Sequence, residues 1–285
     1  MIKIDHFQYL LWVLNFFSCC KEVFMLKSLD DLLRSTPLTI DVVIEHEWTG
    51  AFPVKGVEME ATVLYVELPE YYRLTLELGP APMLIHGNMF VAWLERLVER
   101  AGISAVYSIS GLSVSLIFSS LCGSGTPCID ALRVARLMGE NDVFGFQPSI
   151  GIGSGVIMAG SASFKACSHS SLSGRPLLVA NACARVRPAG HYASCISLPV
   201  AEWSESVFDD VFAPRRFQDA DQEDVHEEPL LWEPGRARMI DIPGIGGLEI
   251  LDIASFIHWN SRDRAEQKSR DWFVELQRKG YYRKS

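Results

Sequence analysis

Ala105 to Phe118 reads AVYSISGLSVSLIF, two alternating apolar runs joined at Ser110-Gly111. Apolar residues at every second position suit strands with one buried face, and a small residue followed by glycine suits a tight hairpin turn. Upstream, Ala61 to Leu68 (ATVLYVEL) is a second run of strand type. Between them, from about Pro82 to Arg100, Met89, Phe90, Trp93, Leu94, Leu97 and Val98 recur at helical spacing, with Gly102 as a C-terminal stop. Downstream, Asp130 to Met138 reads as a helix, Ser149 to Met158 as a glycine-laced strand pair, and Pro176 to Val186 as another helix. Met239 to Ile253 (MIDIPGIGGLEILDI) reads as two strands around a glycine turn, and Ser261 to Lys279 as a last helix ending at Gly280. This order gives an α+β sandwich, with helices on one face of a mostly antiparallel sheet.

Outside that block, Met25 to Ala51 begins with a short amphipathic helix (LKSLDDLLRS) that stops near Pro37, and Thr39 to Ile44 is a β-branched strand. The organisation expected is an N-terminal extension over 1–57, a principal domain over 58–253, and a C-terminal helix with a basic tail over 254–285. Tyr9 to Cys20 (YLLWVLNFFSCC) is apolar but too short to span a bilayer, and it lacks the features of a secretory signal. Three readings of it stay open: a buried or dimer-forming helix, a membrane-surface anchor, or translated sequence upstream of a start at Met25.

The 285 residues are 48% hydrophobic and 21% charged, as suits a chain with a substantial core. A formal net charge of −9 repels phosphate backbones and argues against general nucleic-acid binding. Carboxylates concentrate in Asp209 to Glu233 and cations in Arg262 to Lys284; both read as solvated surface. Cysteines 19, 20, 122, 128, 167, 183 and 195 form no CxxC pair and are odd in number. They read as reduced, mostly buried thiols of a cytoplasmic protein.

Six pieces in this order resemble the class III adenylyl and guanylyl cyclases. Val63-Leu64-Tyr65-Val66-Glu67-Leu68 is similar to the family's opening strand, and Ser108-Ile109-Ser110-Gly111-Leu112 to its hairpin. Asp130 to Ala135 resembles the following helix and Ile150 to Val156 the glycine-bearing strand pair. Asn181-Ala182-Cys183-Ala184-Arg185-Val186 resembles the helix with the ribose-binding asparagine and catalytic arginine, and Ile242 to Ile245 the closing turn. The resemblance covers roughly Glu58 to Ile253 and implies a ferredoxin-like antiparallel sheet with helices packed on it, class III nucleotide cyclase-like.

It also implies a chemistry that this sequence meets only in part. The family joins a nucleotide's 3′ hydroxyl to its α-phosphate with two divalent ions held on two strand-borne carboxylates. The first carboxylate position is Glu67 and the second is Leu112, which cannot ligate a hard cation. In the phosphate loop, Leu68-Pro69-Glu70-Tyr71-Tyr72, Pro69 removes an N–H and Glu70 brings negative charge. Ser108 stands at the base-reading lysine position and Gly174 at its partner position, seven before Asn181. Asn181, for the ribose, and Arg185, for charge on the α-phosphate, remain, one helical turn apart.

The resemblance thus implies a degenerate cyclase-like protein that dimerises, regulates or binds a ligand, with no cofactor unless it is active, when Mg²⁺ or Mn²⁺ would be needed. A homodimer, or a heterodimer with a cyclase-like subunit supplying the metal carboxylates, is the expected assembly, with a nucleotide as the possible ligand. The alternative is an active cyclase with altered metal ligands, compatible with a pyrimidine nucleotide as in cyclases of bacterial phage defence. A third reading is a structural domain whose cleft is filled by Leu112, Tyr71 and Tyr72. Elsewhere, His86 reads as a satisfied polar residue and Glu95 and Glu99 as a solvated helix face. His169 lacks a nucleophile elbow, and Arg215-Arg216 reads as a partner of the acidic run.

Overall fold

A computed structural model describes residues 26–142, 144–163, 168–186, 194–212, 232–255 and 264–282. The apolar segment over 9–20, Arg215-Arg216 and most of the acidic run lie outside the described residues, as does the side chain of His169.

The strands in chain order are β1 (Leu26–Ser28), β2 (Ile40–His46), β3 (Gly50–Glu67), β4 (Ala105–Ser110), β5 (Ser113–Phe118), β6 (Ser149–Ser163), β7 (Ser168–Ser173), β8 (Ser194–Pro199), β9 (Trp232–Pro234), β10 (Arg238–Ile242) and β11 (Gly246–Ser255). The helices are α1 (Leu29–Ser35), α2 (Tyr71–Leu78), α3 (Pro80–Ala101), α4 (Pro127–Glu140), α5 (Arg175–Arg185), α6 (Glu205–Phe212) and α7 (Arg264–Arg278). The strands form one sheet in the order β1-β4-β5-β3-β6-β8-β11-β10, with β2 beside β3, β7 beside β6 and β9 beside β11. Pairing is antiparallel except for β1 with β4 and β6 with β8, as expected of a mostly antiparallel α+β sheet.

β3 is the spine. Alternation along it sends Leu64 and Val66 into a core with Phe90, Trp93 and Leu94 of α3 and Leu132, Ala135 and Met138 of α4. Met59, Ala61, Val63 and Tyr65 point the other way, into a second core with Leu29 and Leu32 of α1 and Ala180 and Ala184 of α5. Helices therefore cover both faces of the sheet, not one, because β3 is apolar on both sides over this stretch. Each fully buried Leu, Phe or Ile is worth about 1.5–3 kcal/mol over leaving it exposed, so both layers contribute substantially.

Three local readings change. Leu26 to Ser28 joins the sheet instead of opening the helix, and Ser28 becomes the cap of α1. Its Oγ accepts from the Asp31 N–H (3.2 Å) while the Asp31 carboxylate accepts from the Ser28 N–H (3.2 Å), a capping box. Ser149 to Met158 is not a strand pair but part of the single strand β6, whose hairpin partner is β7. Its glycines admit a helix: a Cβ on Gly151 would lie 2.0 Å from the Ala180 carbonyl oxygen, and one on Gly153 2.7 Å from that of Pro176. α5 thus lies almost on the backbone of β6. Finally, Tyr71 to Leu78 forms α2, an element the sequence reading lacks, separated from α3 by Gly79 at φ 76°.

Candidate functional site

Glu67 ends β3, opposite Ser113 on β5 and Ser149 on β6. It lies in step with Tyr65, so both side chains leave the sheet toward α5. The Tyr65 hydroxyl donates to Glu67 Oε2 (3.4 Å), and Arg185 Nε, from the last turn of α5, donates to the same oxygen (3.3 Å). The Glu67 charge raises the pKa of the Arg185 guanidinium above its ordinary value.

Leu112 sits in the turn between β4 and β5, where Gly111 takes φ 63° and Ser113 Oγ donates to the Ser110 carbonyl (2.7 Å). Its side chain packs over Gly87 of α3, so closely that a Cβ there would lie 2.4 Å from Leu112 Cδ2. Leu112 and Tyr71 flank an apolar cluster of Leu74, Leu78 and Met83, on the helical side opposite α5. The two positions matched to the metal carboxylates therefore diverge, one toward α5 and one onto α3. The side chain of Tyr72 lies outside the described residues.

The loop after β3 is tightly held. Glu70 adopts a left-handed conformation (φ 58°, ψ 25°), which a glycine would take without steric cost, and it opens α2. Its carboxylate does not project uncompensated into the cleft. Arg73 Nε donates to Glu70 (2.5 Å), Nη1 to Glu77 (2.5 Å) and Nη2 to Glu266 of α7 (2.9 Å). Beneath this loop lies a cavity of about 60 Å³, lined by Glu70, Arg73, His86, Phe146, Gln147 and Glu266 among others. Pockets that enclose drug-sized ligands run to roughly 300–1,000 Å³, so this one is far too small for a nucleotide.

Ser108 is half-buried on β4 opposite Ser115, and Gly174 caps the start of α5 at φ 138°. Asn181 is half-buried on α5, one turn before the exposed Arg185. The end of α5 is pinned by Arg238, which donates to the Val186 carbonyl and to Asp252 (2.7 Å), itself buried and accepting from Ser197 Oγ (2.5 Å). His86, 2% exposed, shares a hydrogen bond between Nδ1 and Ser269 Oγ (3.0 Å); it is a satisfied polar residue, as expected, and it is buried. Glu95 and Glu99 are exposed on α3. Burial pushes the thiols of Cys122 and Cys128 up to about 11 and that of Cys183 up to about 12, which suits inert packing residues.

Leu112 offers hydrocarbon, Glu67 is engaged by Arg185 and Tyr65, and no three His, Cys, Asp or Glu side chains among the described residues cluster as metal ligands. Sequence reading missed Tyr65, Arg73, Glu266 and Arg238. Only Arg73 carried a signal: Glu70, Arg73 and Glu77 fall three and four apart, the spacing of ion pairs along a helix.

No protein-family model matches the sequence, and no curated protein matches it either. Solved structures do. The adenylyl cyclase CyaB from P. aeruginosa is 14% identical with a TM-score of 0.50, covering 72% of this chain and 98% of its own. The catalytic core of a rhodopsin-guanylyl cyclase with converted specificity, in complex with ATPalphaS, is 14% identical with a TM-score of 0.50, covering 70% of this chain and 98% of its own. No helix among the described residues is long and apolar enough to cross a membrane. At such identities the likeness speaks for the fold alone, and that fold is the one the six sequence pieces implied: a class III adenylyl/guanylyl cyclase-like domain.

Proposed function

We propose that this chain is a non-catalytic cyclase-like protein that dimerises and uses its remaining nucleotide-facing residues, Asn181 and Arg185, to bind a ligand or complement a partner. The observation that carries this reading is the divergence of Glu67 and Leu112 to opposite sides of the sheet. Two-metal cyclisation needs both carboxylates to converge on a pair of ions about 3.5–4 Å apart. Here even an acidic residue at 112 would start from a side chain directed at Gly87, not at Glu67. The end of α5, by contrast, leaves Arg185 exposed with the half-buried Asn181 a turn before it, where a second subunit with its own metal carboxylates could meet them.

Purified protein incubated with each of the four nucleoside triphosphates and Mn²⁺ is expected to give no cyclic product by mass spectrometry, and Leu112→Asp is expected not to create one. A cyclic product that disappears in Arg185→Ala would overturn the proposal in favour of an active cyclase with altered ligands. Sedimentation showing monomer alone at every concentration would remove the dimeric part of it.

A further inference from the structure

We propose that Arg185 and Glu67 form an intrachain latch, in which the cation at the end of α5 is held by the chain's own carboxylate until a polyanion displaces it. This rests on the reading that Arg185 faces a phosphate-bearing ligand, and adds how access to it is controlled.

The latch is built by packing. Gly151 and Gly153 let α5 approach β6 more closely than any side chain would allow, which brings its last turn down beside the end of β3. Arg238 and the buried Asp252 fix that last turn from the other side through the Val186 carbonyl. On β3, the Tyr65 hydroxyl, on a side chain only 7% exposed, donates to the same Glu67 oxygen that Arg185 reaches and so helps hold the carboxylate in place. Glu67 is thus oriented by a neighbour, and the backbone that carries Arg185 is brought beside it by a helix.

The pair is also weak enough to open. The Arg185 side chain is 62% exposed and that of Glu67 30% exposed, so water screens their attraction. Exposed pairs of this kind shift an equilibrium by roughly 1.5- to 5-fold. A polyphosphate carries several charges against one and offers bidentate acceptors that a guanidinium fork prefers. It therefore competes successfully with Glu67, at an affinity lowered by the cost of opening the pair.

The test uses the full chain, inorganic tripolyphosphate as probe, and the Arg185 Nε–H signal by NMR. Glu67→Gln is expected to tighten tripolyphosphate binding about two- to fivefold, as removal of an exposed pair permits. Arg185→Ala is expected to weaken binding, and the double variant to match Arg185→Ala. Equal affinity in wild type and Glu67→Gln would overturn the latch. So would tightening that persists in the Arg185→Ala background, which would reflect only the loss of a negative charge. If no variant binds tripolyphosphate, the ligand-binding reading fails and the latch is judged by NMR. The Arg185 Nε–H shift and its exchange with water must then change in Glu67→Gln; an unaltered signal rejects it.

Discussion

Replacing Gly151 by alanine is the most direct probe of how this fold places its candidate site. The added Cβ would sit 2.0 Å from the Ala180 carbonyl oxygen and 2.5 Å from the Ala184 amide nitrogen, both backbone atoms of α5. Relief needs well over an ångström of movement, and no flexible side chain can supply it. α5 must lift or β6 must bend, loosening Val179 and Cys183 from Ile240, Ile242 and Ile250 as well as Ala180 and Ala184 from Val63 and Tyr65. Overpacking of this kind costs about 1–3 kcal/mol, and more where backbone meets backbone. In a chain of this size each kcal/mol lowers Tm by about 2–4 °C, so a fall of about 3 °C or more is expected. The assay is urea and thermal unfolding of Gly151→Ala beside Gly125→Ala, whose added Cβ meets nothing within 4 Å. Gly125→Ala should stay within about 0.5 kcal/mol of wild type. If the two variants unfold alike, the close seating of α5 on β6 is not as described, and the route by which Arg185 reaches Glu67 falls with it.

Arg136 and Glu140 pair on α4 with side chains 3% exposed, and Arg136 also donates to the Val211 carbonyl. Arg136→Ala should cost about 3–5 kcal/mol in urea unfolding by leaving the buried Glu140 charge without its cation, although Trp232 Nε1 still donates to it (3.4 Å), whereas a loss under 1 kcal/mol would mean that Glu140 finds water. Burial depresses the His86 pKa below 6.5, against the upward pull of the Ala265 carbonyl and the Glu266 carboxylate. The unfolded chain therefore takes up the proton first: stability is full above pH 6.5 and declines as pH falls below it. His86→Gln should flatten that acid-side slope between pH 6.5 and 5, and an unchanged slope would assign the acid sensitivity elsewhere. Leu112→Ala should cost about 1–3 kcal/mol by opening space over Gly87, and a neutral result would show that the turn collapses to fill it.

The parts of this fold that were legible in the sequence are those whose pattern is local. The β4–β5 hairpin declares itself through alternation and Gly111, α3 through its apolar stripe, and α5 as the helix expected over Pro176 to Val186. β3 was seen only from Ala61 onward: Gly50–Gly56 pairs with an exposed strand and carries no buried-face pattern, whereas the alternation of buried Val57 and Met59 with exposed Glu58 and Glu60 was there to read. α2 was hidden by aromatic and β-branched residues, Tyr71, Tyr72 and Thr75, which argue weakly for helix. The glycines of β6 suggested a turn, since a sequence does not say whether a missing side chain makes room for a bend or for a neighbouring helix. Which of the candidate side chains face one another was not legible in the sequence. Leu112 is visibly no metal ligand, but nothing local reveals that Glu67 meets an arginine 118 positions away in the same chain.

β3 runs eighteen residues without a break, from Gly50 to Glu67, a span of about 60 Å at the usual rise of an extended chain. At one end it turns into β2 beside Trp48, which stands 90% exposed; at the other it presents Glu67. Its register with β6 continues unbroken from Val54 to Glu67, and slippage by a single step would turn both cores inside out. The exposed turn at Trp48 and the carboxylate are thus the two ends of one continuous strand, so a change of its register would displace both together.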